Sequence, residues 1–251
     1  MSVPGRFPPP RFRLIVAAIG VPAFMYVLAI DTALAACSAA VLDTETDSIV
    51  SGDSLLMERG HAETLIPLVE QVMSSAGIDF EHLARIAVTV GPGSFTGLRV
   101  GLSAARGFGL TSNRPVVGVT TLAALAAPYL AHDDAVPVVS AIDARHGHVF
   151  LQMFGVGGRT LIAPRITSVR EAARSVAIGA VRIVGSGANL VADAWPPSEK
   201  LPELVDDTPA PDVAWVARLG SVADPEAAEP RPLYLRPPDA KPQDKARIAR
   251  R

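Results

Sequence analysis

AIDTALAACSAAVL, Ala29 to Leu42, lies without a gap over AIDARHGHVFLQMF, Ala141 to Phe154. Each copy reads as a strand ending in an aspartate, a tight turn and a second strand. Around the first copy, Tyr26–Asp31, Cys37–Leu42 and Ile49–Met57 read as a meander of three short strands joined by polar connections. A helix is expected over Thr64–Ala76, because Leu65, Leu68, Val69, Val72, Met73 and Ala76 recur at helical spacing and Gly77 follows them. Pro67 is expected in its first turn, where a missing N–H does no harm. A strand at Arg85–Val90, a glycine-rich helix, a strand at Val116–Val119 and an Ala/Leu-rich helix after Thr120 complete the first half. The second copy restarts the pattern, with a helix around Ser168–Ala177 and a strand at Val181–Val184 that ends in GSGAN.

A repeated element order of this kind predicts two similar α/β halves with sheets at their centres. The expected class is the actin-like, sugar-kinase-like duplicated fold, with βββαβα lobes, rather than a dinucleotide-binding Rossmann fold. The expected division is an extension over 1–24, a first lobe over 25–131, a second over 132–236 and a disordered basic tail over 237–251. Arg6, Arg11, Arg13 and the apolar run Leu14–Ile30 imitate a signal peptide, but Pro22 interrupts the run and it passes straight into Asp31-Thr32. Residues 1–24 therefore read as an extension upstream of a start at Met25.

With 251 residues the chain can bury a sizeable core, and a net charge of −2 does not suggest a protein that grips a nucleic-acid backbone by itself. The single cysteine, Cys37, excludes an internal disulfide and a cysteine-cluster zinc site, which fits a reducing, cytoplasmic setting. In a predicted apolar strand it reads as packing rather than as a nucleophile.

GPGSFTGLRVGLSAARGFGL, Gly91 to Leu110, admits two readings. As a phosphate loop it is incomplete. Leu98 stands where a Walker A loop needs lysine, and Gly91, Gly93 and Gly97 are one residue too widely spaced for the dinucleotide fingerprint. The first N–H groups of the helix, near Ser94 to Gly97, retain the ability to hold an anion. As a packing surface it is better: Gly97, Gly101, Ala105 and Gly109 recur every fourth residue and make one nearly side-chain-free stripe. Each interior glycine costs a helix about 0.8–1 kcal/mol relative to alanine, so close packing against this chain's own sheet or against another chain should offset it.

Asp31 and Asp143, each at a strand end, stand where an actin-like fold places carboxylates toward nucleotide phosphates and magnesium; the alternative is that both bind turn N–H groups. His146 and His148 have no evident third ligand for a metal, and no Ser/His/Asp or Cys/His set is visible.

AIDT (29–32), HAETLIP (61–67), GPGSFTGLRVGL (91–102), AIDAR (141–145) and YLR (234–236) occur in the order that resembles the TsaB family, over Met25 to about Arg236. The resemblance implies an actin-like accessory protein, without a catalytic residue or metal of its own, in bacterial tRNA threonylcarbamoyladenosine synthesis. It would pair with the catalytic paralogue TsaD, work with the ATPase TsaE, meet tRNA only indirectly, and involve ATP and magnesium only at the level of the complex. None of the five histidines makes the His-x-x-x-His pair of TsaD-like proteins. The family's partner surface, in homodimers as well as with TsaD, is its first two helices. Carried over, it falls on His61, Glu63, Leu65 and Pro67 and on Phe95, Gly97, Leu98, Gly101 and Ala105. Asp31, Thr32, Gly91, Pro92, Gly93, Ser94, Thr96, Arg99 and Asp143 form the family motif and a possible remnant of a nucleotide site. The competing class is an actin-fold ATPase or kinase using Asp31 and Asp143; the family's glycoprotease label finds no nucleophile set or metal site to support it.

Overall fold

The computed structural model describes residues 26–133 and 135–236. The expected extension and basic tail lie outside them. β1 (Tyr26–Asp31), β2 (Ala36–Asp43) and β3 (Ser48–Leu56) form the meander, followed by α1 (His61–Ala76), β4 (Leu83–Gly91), α2 (Phe95–Ser112), β5 (Val116–Thr120) and α3 (Thr121–His132). The second half runs β6 (Val138–Asp143), β7 (His148–Phe154), β8 (Thr160–Ser168), α4 (Val169–Val176), β9 (Arg182–Val184), α5 (Ala188–Asp193), β10 (Leu204–Asp206) and α6 (Val213–Val222).

The strand orders are β3-β2-β1-β4-β5 and β10-β9-β6-β7-β8. Read from its other edge, the second sheet repeats the first strand for strand. In each, the first three strands pair antiparallel and the remaining pairs are parallel. This is the expected actin-like duplication, extended by one strand and one helix beyond βββαβα. β1 is central and covered on both faces, which is why VLAI reads as an unbroken apolar run rather than an alternating one.

The last helix of each half crosses to the other sheet. Val213, Val216 and Ala217 of α6 pack with Val27, Ala29, Ala40, Ala87 and Val117 of the first sheet, and a Cβ on Gly220 would overlap Ala87. Leu122, Leu125 and Ala126 of α3 pack with Val138, Ile142, Phe154 and Val184 of the second. After α6 the chain returns along the first sheet, where Gly118 N donates to Ala228 O at 2.8 Å and Leu233 N to Val90 O at 2.7 Å. The two lobes thus share their cores. Among the described residues no helix is long and apolar enough to cross a membrane.

α1 begins earlier than the periodicity suggests. Gly60 turns in with φ 91°, and His61 is buried with its Nε2 3.3 Å from Leu34 O. Pro67 therefore lies inside the helix instead of in its first turn, on the exposed face, where it removes one backbone donor.

Candidate functional site

The aspartate that ends β1 is entirely inside the protein. Asp31 Oδ1 accepts from Thr89 Oγ1 at 2.6 Å and from Ala33 N at 3.0 Å, while Oδ2 has no hydrogen-bond partner. Burial pushes its carboxyl above the ordinary value, against the lowering effect of the Thr89 and Ala33 bonds and of His61. The turn that follows is seated on the start of α2. Thr32 Oγ1 donates to Gly97 O at 2.7 Å, and Ser94 N donates to Ala33 O at 2.7 Å. A Cβ on Gly93 would overlap Ala33 O, one on Gly97 would overlap Thr32 O, and one on Gly101 would overlap Thr32 Oγ1. Ser94 caps the helix by accepting from Gly97 N at 3.2 Å.

These contacts decide what the first turn can do. Ala33 O and the Ser94 hydroxyl already occupy donors that an anion at the start of α2 would need. A carboxyl that is fully buried, its charged form penalised by that burial, is poorly suited to hold magnesium, and the described residues contain no group of three His, Cys, Asp or Glu that could bind a metal. The residues around Asp31 do not fit a nucleotide and magnesium site. Cys37 is equally interior, and burial, with a smaller push from Asp31, raises its thiol to about 11.

Asp143, at the matching position of the second lobe, is exposed. Its Oδ1 accepts from Arg145 N at 2.7 Å and its own N donates to Ser186 Oγ at 3.3 Å. Arg145, His146 and Gly147 all take left-handed backbone angles, with φ of 62°, 52° and 71°. His148 Nδ1 lies 2.9 Å from His146 O, so the histidine pair serves the turn.

The small-residue stripe faces inward, so the expectation that it meets another chain is corrected. Gly97, Leu98, Gly101, Ala105 and Gly109 are buried on this chain's own β1–β2 turn, on Val88 and on Val116, and His61 and Leu65 are buried on α1. Of the expected partner residues, Glu63, Pro67 and Phe95 are exposed. They share the outer face of α1 and α2 with Ile66, Arg99, Ser103, Gly107 and Leu110, the last 85% exposed. A Cβ on Gly107 would meet nothing within 4 Å. Sequence reasoning missed Ser103 and Gly107, although Arg99, Ser103 and Gly107 have the same four-residue spacing as the inner stripe. It also missed Thr89, whose only signal is a polar residue in an apolar strand. The role of Tyr234 and Arg236 went unread as well: the Tyr234 ring lies 5.6 Å from that of Phe95, and Arg236 Nη1 donates to Ala144 O at 3.3 Å. That segment ties the first lobe to the second.

Two copies of one α/β unit, with a closed first turn and an open second one, define an actin-like protein whose first-lobe turn is filled by its own backbone. A family model described as TsaD, tRNA N6-adenosine threonylcarbamoyltransferase, matches residues 55–184. The tRNA threonylcarbamoyladenosine biosynthesis protein TsaB of Escherichia coli is 37% identical over 126 residues, 50% of this chain and 53% of that protein. An uncharacterized protein of Mycobacterium tuberculosis is 34% identical over 217 residues, 86% of this chain and 94% of that one. The solved structure of YeaZ from Pseudomonas aeruginosa superposes with a TM-score of 0.71 at 26% identity, covering 84% of this chain and 99% of that chain. The chain belongs to the TsaB family, within the wider TsaD-type group. Its match spans about half the length of the curated TsaB relatives.

Proposed function

We propose that this protein is a non-catalytic accessory subunit in tRNA threonylcarbamoyladenosine synthesis, and that it binds and activates the catalytic paralogue TsaD through the outer face of α1 and α2. The observation that carries the reading is Gly107. A glycine in a helix interior costs about 1 kcal/mol relative to alanine, and nothing among the described residues requires its missing side chain. A helix from another chain, crossing closely over Ser103 and Gly107 between Ile66 and Leu110, supplies the requirement. Glu63 and Pro67 flank this contact, and Phe95 lies at its end. The first-lobe turn, filled by its own backbone, supports the absence of a reaction centre there. TsaE and ATP act on the complex rather than on this chain alone.

The test is Gly107→Leu. Folding should be kept, because the position is open, while co-purification with TsaD should fall by at least about 100-fold, the scale of a buried interface clash. Undiminished TsaD binding by a folded variant would rule out this surface. Reconstituted tRNA modification should require the wild-type chain and fail with the variant.

A further inference from the structure

At the amino end of α2 the exposed surface changes character. The Arg99 guanidinium lies 3.8 Å over the Phe95 ring, and Phe95 in turn lies against Tyr234 at 5.6 Å between centroids. Phe95 and Tyr234 are each about half exposed, at 49% and 48%. Two residues beyond Tyr234, Arg236 binds Ala144 O, which places this column beside the exposed Arg145 and His146 of the β6–β7 turn. The result is one rim across both lobes: the Arg99 cation over the Phe95 ring, the Tyr234 ring tilted against Phe95, and then the Arg236 and Arg145 side chains. Asp143 is the exposed acid in the turn, and one of its oxygens already holds Arg145 N.

The backbone of that turn points the same way. Arg145 and His146 sit at left-handed angles where glycine or asparagine is favoured, at a cost the matching turn of the first lobe does not carry. Stability is given up to keep these two side chains at the surface. A half-exposed cluster of an arginine and two aromatic rings suits an unpaired base, and the neighbouring arginines suit its phosphates.

We propose that the rim formed by Arg99, Phe95, Tyr234, Arg236, Arg145 and His146 is a contact surface for single-stranded RNA. It rests on the placement of this chain in tRNA modification, and it gives the protein a direct, auxiliary hold on the RNA rather than a purely indirect one. With a net charge of −2 over the chain, the contact is local, weak and salt-sensitive. It starts at the end of the helix face assigned to TsaD, where Phe95 and Arg99 belong to both surfaces, and runs away from that face over Tyr234, Arg236, Arg145 and His146.

The experiment is fluorescence anisotropy of a labelled, unmodified tRNA transcript titrated with the full chain, from about 50 to about 200 mM salt. Arg145→Gly should reduce the slope of log affinity against log salt by about one, and should raise the melting temperature because the left-handed strain is relieved. Tyr234→Ala should weaken binding about 5- to 100-fold while Tyr234→Phe preserves it, as expected for loss of one stacked base. No binding by the wild-type chain, or equal binding by Arg145→Gly and Tyr234→Ala, overturns the proposal. So does displacement of the RNA by polyglutamate as readily as by unlabelled tRNA, which would make the rim a site for an acidic polypeptide. TsaD co-purification separates this inference from the previous one. Arg145→Gly should leave it intact, and Gly107→Leu should abolish it without changing the anisotropy titration.

Discussion

The turn after β1 and the turn after β6 occupy matching places in the duplicated fold, and they have opposite chemistry. The first, Thr32-Ala33-Leu34-Ala35, is small and largely buried, and its aspartate is fully enclosed. The second, Ala144-Arg145-His146-Gly147, is cationic at its tip, and its aspartate is exposed. Both adjoin a glycine-lined crossing: Gly91 and Gly185 have φ of 105° and 101°, Gly93 approaches Ala33 of the first turn, and Gly187 approaches the end of β6 at Ile142 and Asp143. What differs is the helix that follows. α2 lays Gly97 and Gly101 directly on Thr32 of the first turn, whereas the residues at the matching positions of the second half are Val191 and Trp195, with Gly187 seated on the end of β6 and on Val149 instead. Duplication of a backbone therefore does not duplicate a site. How closely the neighbouring helix can seat on the turn, which its glycines set, separates an enclosed aspartate from an exposed one.

The largest effect should come from the crossing itself. Gly97→Ala sets a methyl group on the Thr32 carbonyl, backbone that cannot swing away, and should cost about 3 kcal/mol or more in denaturant unfolding. Gly187→Ala meets Asp143 N, Ile142 C and a Val149 methyl at 3.1 Å and should cost about 1 kcal/mol. Equal losses would break the comparison. Thr89→Val removes the donor to a carboxylate that is buried with one oxygen already unpartnered, and should cost about 1–3 kcal/mol. Ser186→Ala, beside exposed Asp143, should stay within about 0.5 kcal/mol.

Titration sharpens the same contrast. Because the folded-state pKa of Asp31 is raised by burial, the native state holds its proton longer than the unfolded chain does. Its contribution to stability is most favourable below the ordinary carboxylate range and is lost as pH rises through the raised value. Asp31→Asn should flatten that part of the stability curve in urea titrations run at successive pH values. A curve unchanged by the substitution would mean that the carboxyl titrates normally. At the open turn the expected change has the opposite sign: Arg145→Gly should add about 1 kcal/mol of stability.

Much of the fold was legible because it is written in short-range pattern. The gapless repeat, the apolar runs of the central strands and the Gly77 stop locate the first lobe and the start of the second. β10 and α6 were not legible. β10 is three residues with Leu204 and Val205 partly exposed, set in a proline-rich stretch, and it acquires its identity from pairing with β9. α6 is apolar on one side for a sheet that lies in the other half of the sequence. The candidate site was half legible. Spacing identifies α2 as a helix thinned by small residues, but it holds two such rows, Gly97-Gly101-Ala105-Gly109 and Ser103-Gly107, and periodicity alone does not say which one turns inward.

The sequence by itself determined the duplication, the helix made for close approach and the aspartate at each strand end, because these depend on residues within a few positions of one another. Only the tertiary structure decided that the inner row is taken by Thr32, that Gly107 is left facing solvent, and that Asp31 is enclosed while Asp143 is not. Those outcomes depend on which distant segment fills the space beside each residue, and the free energy of burial or exposure is set by that neighbour rather than by the residue's own place in the chain.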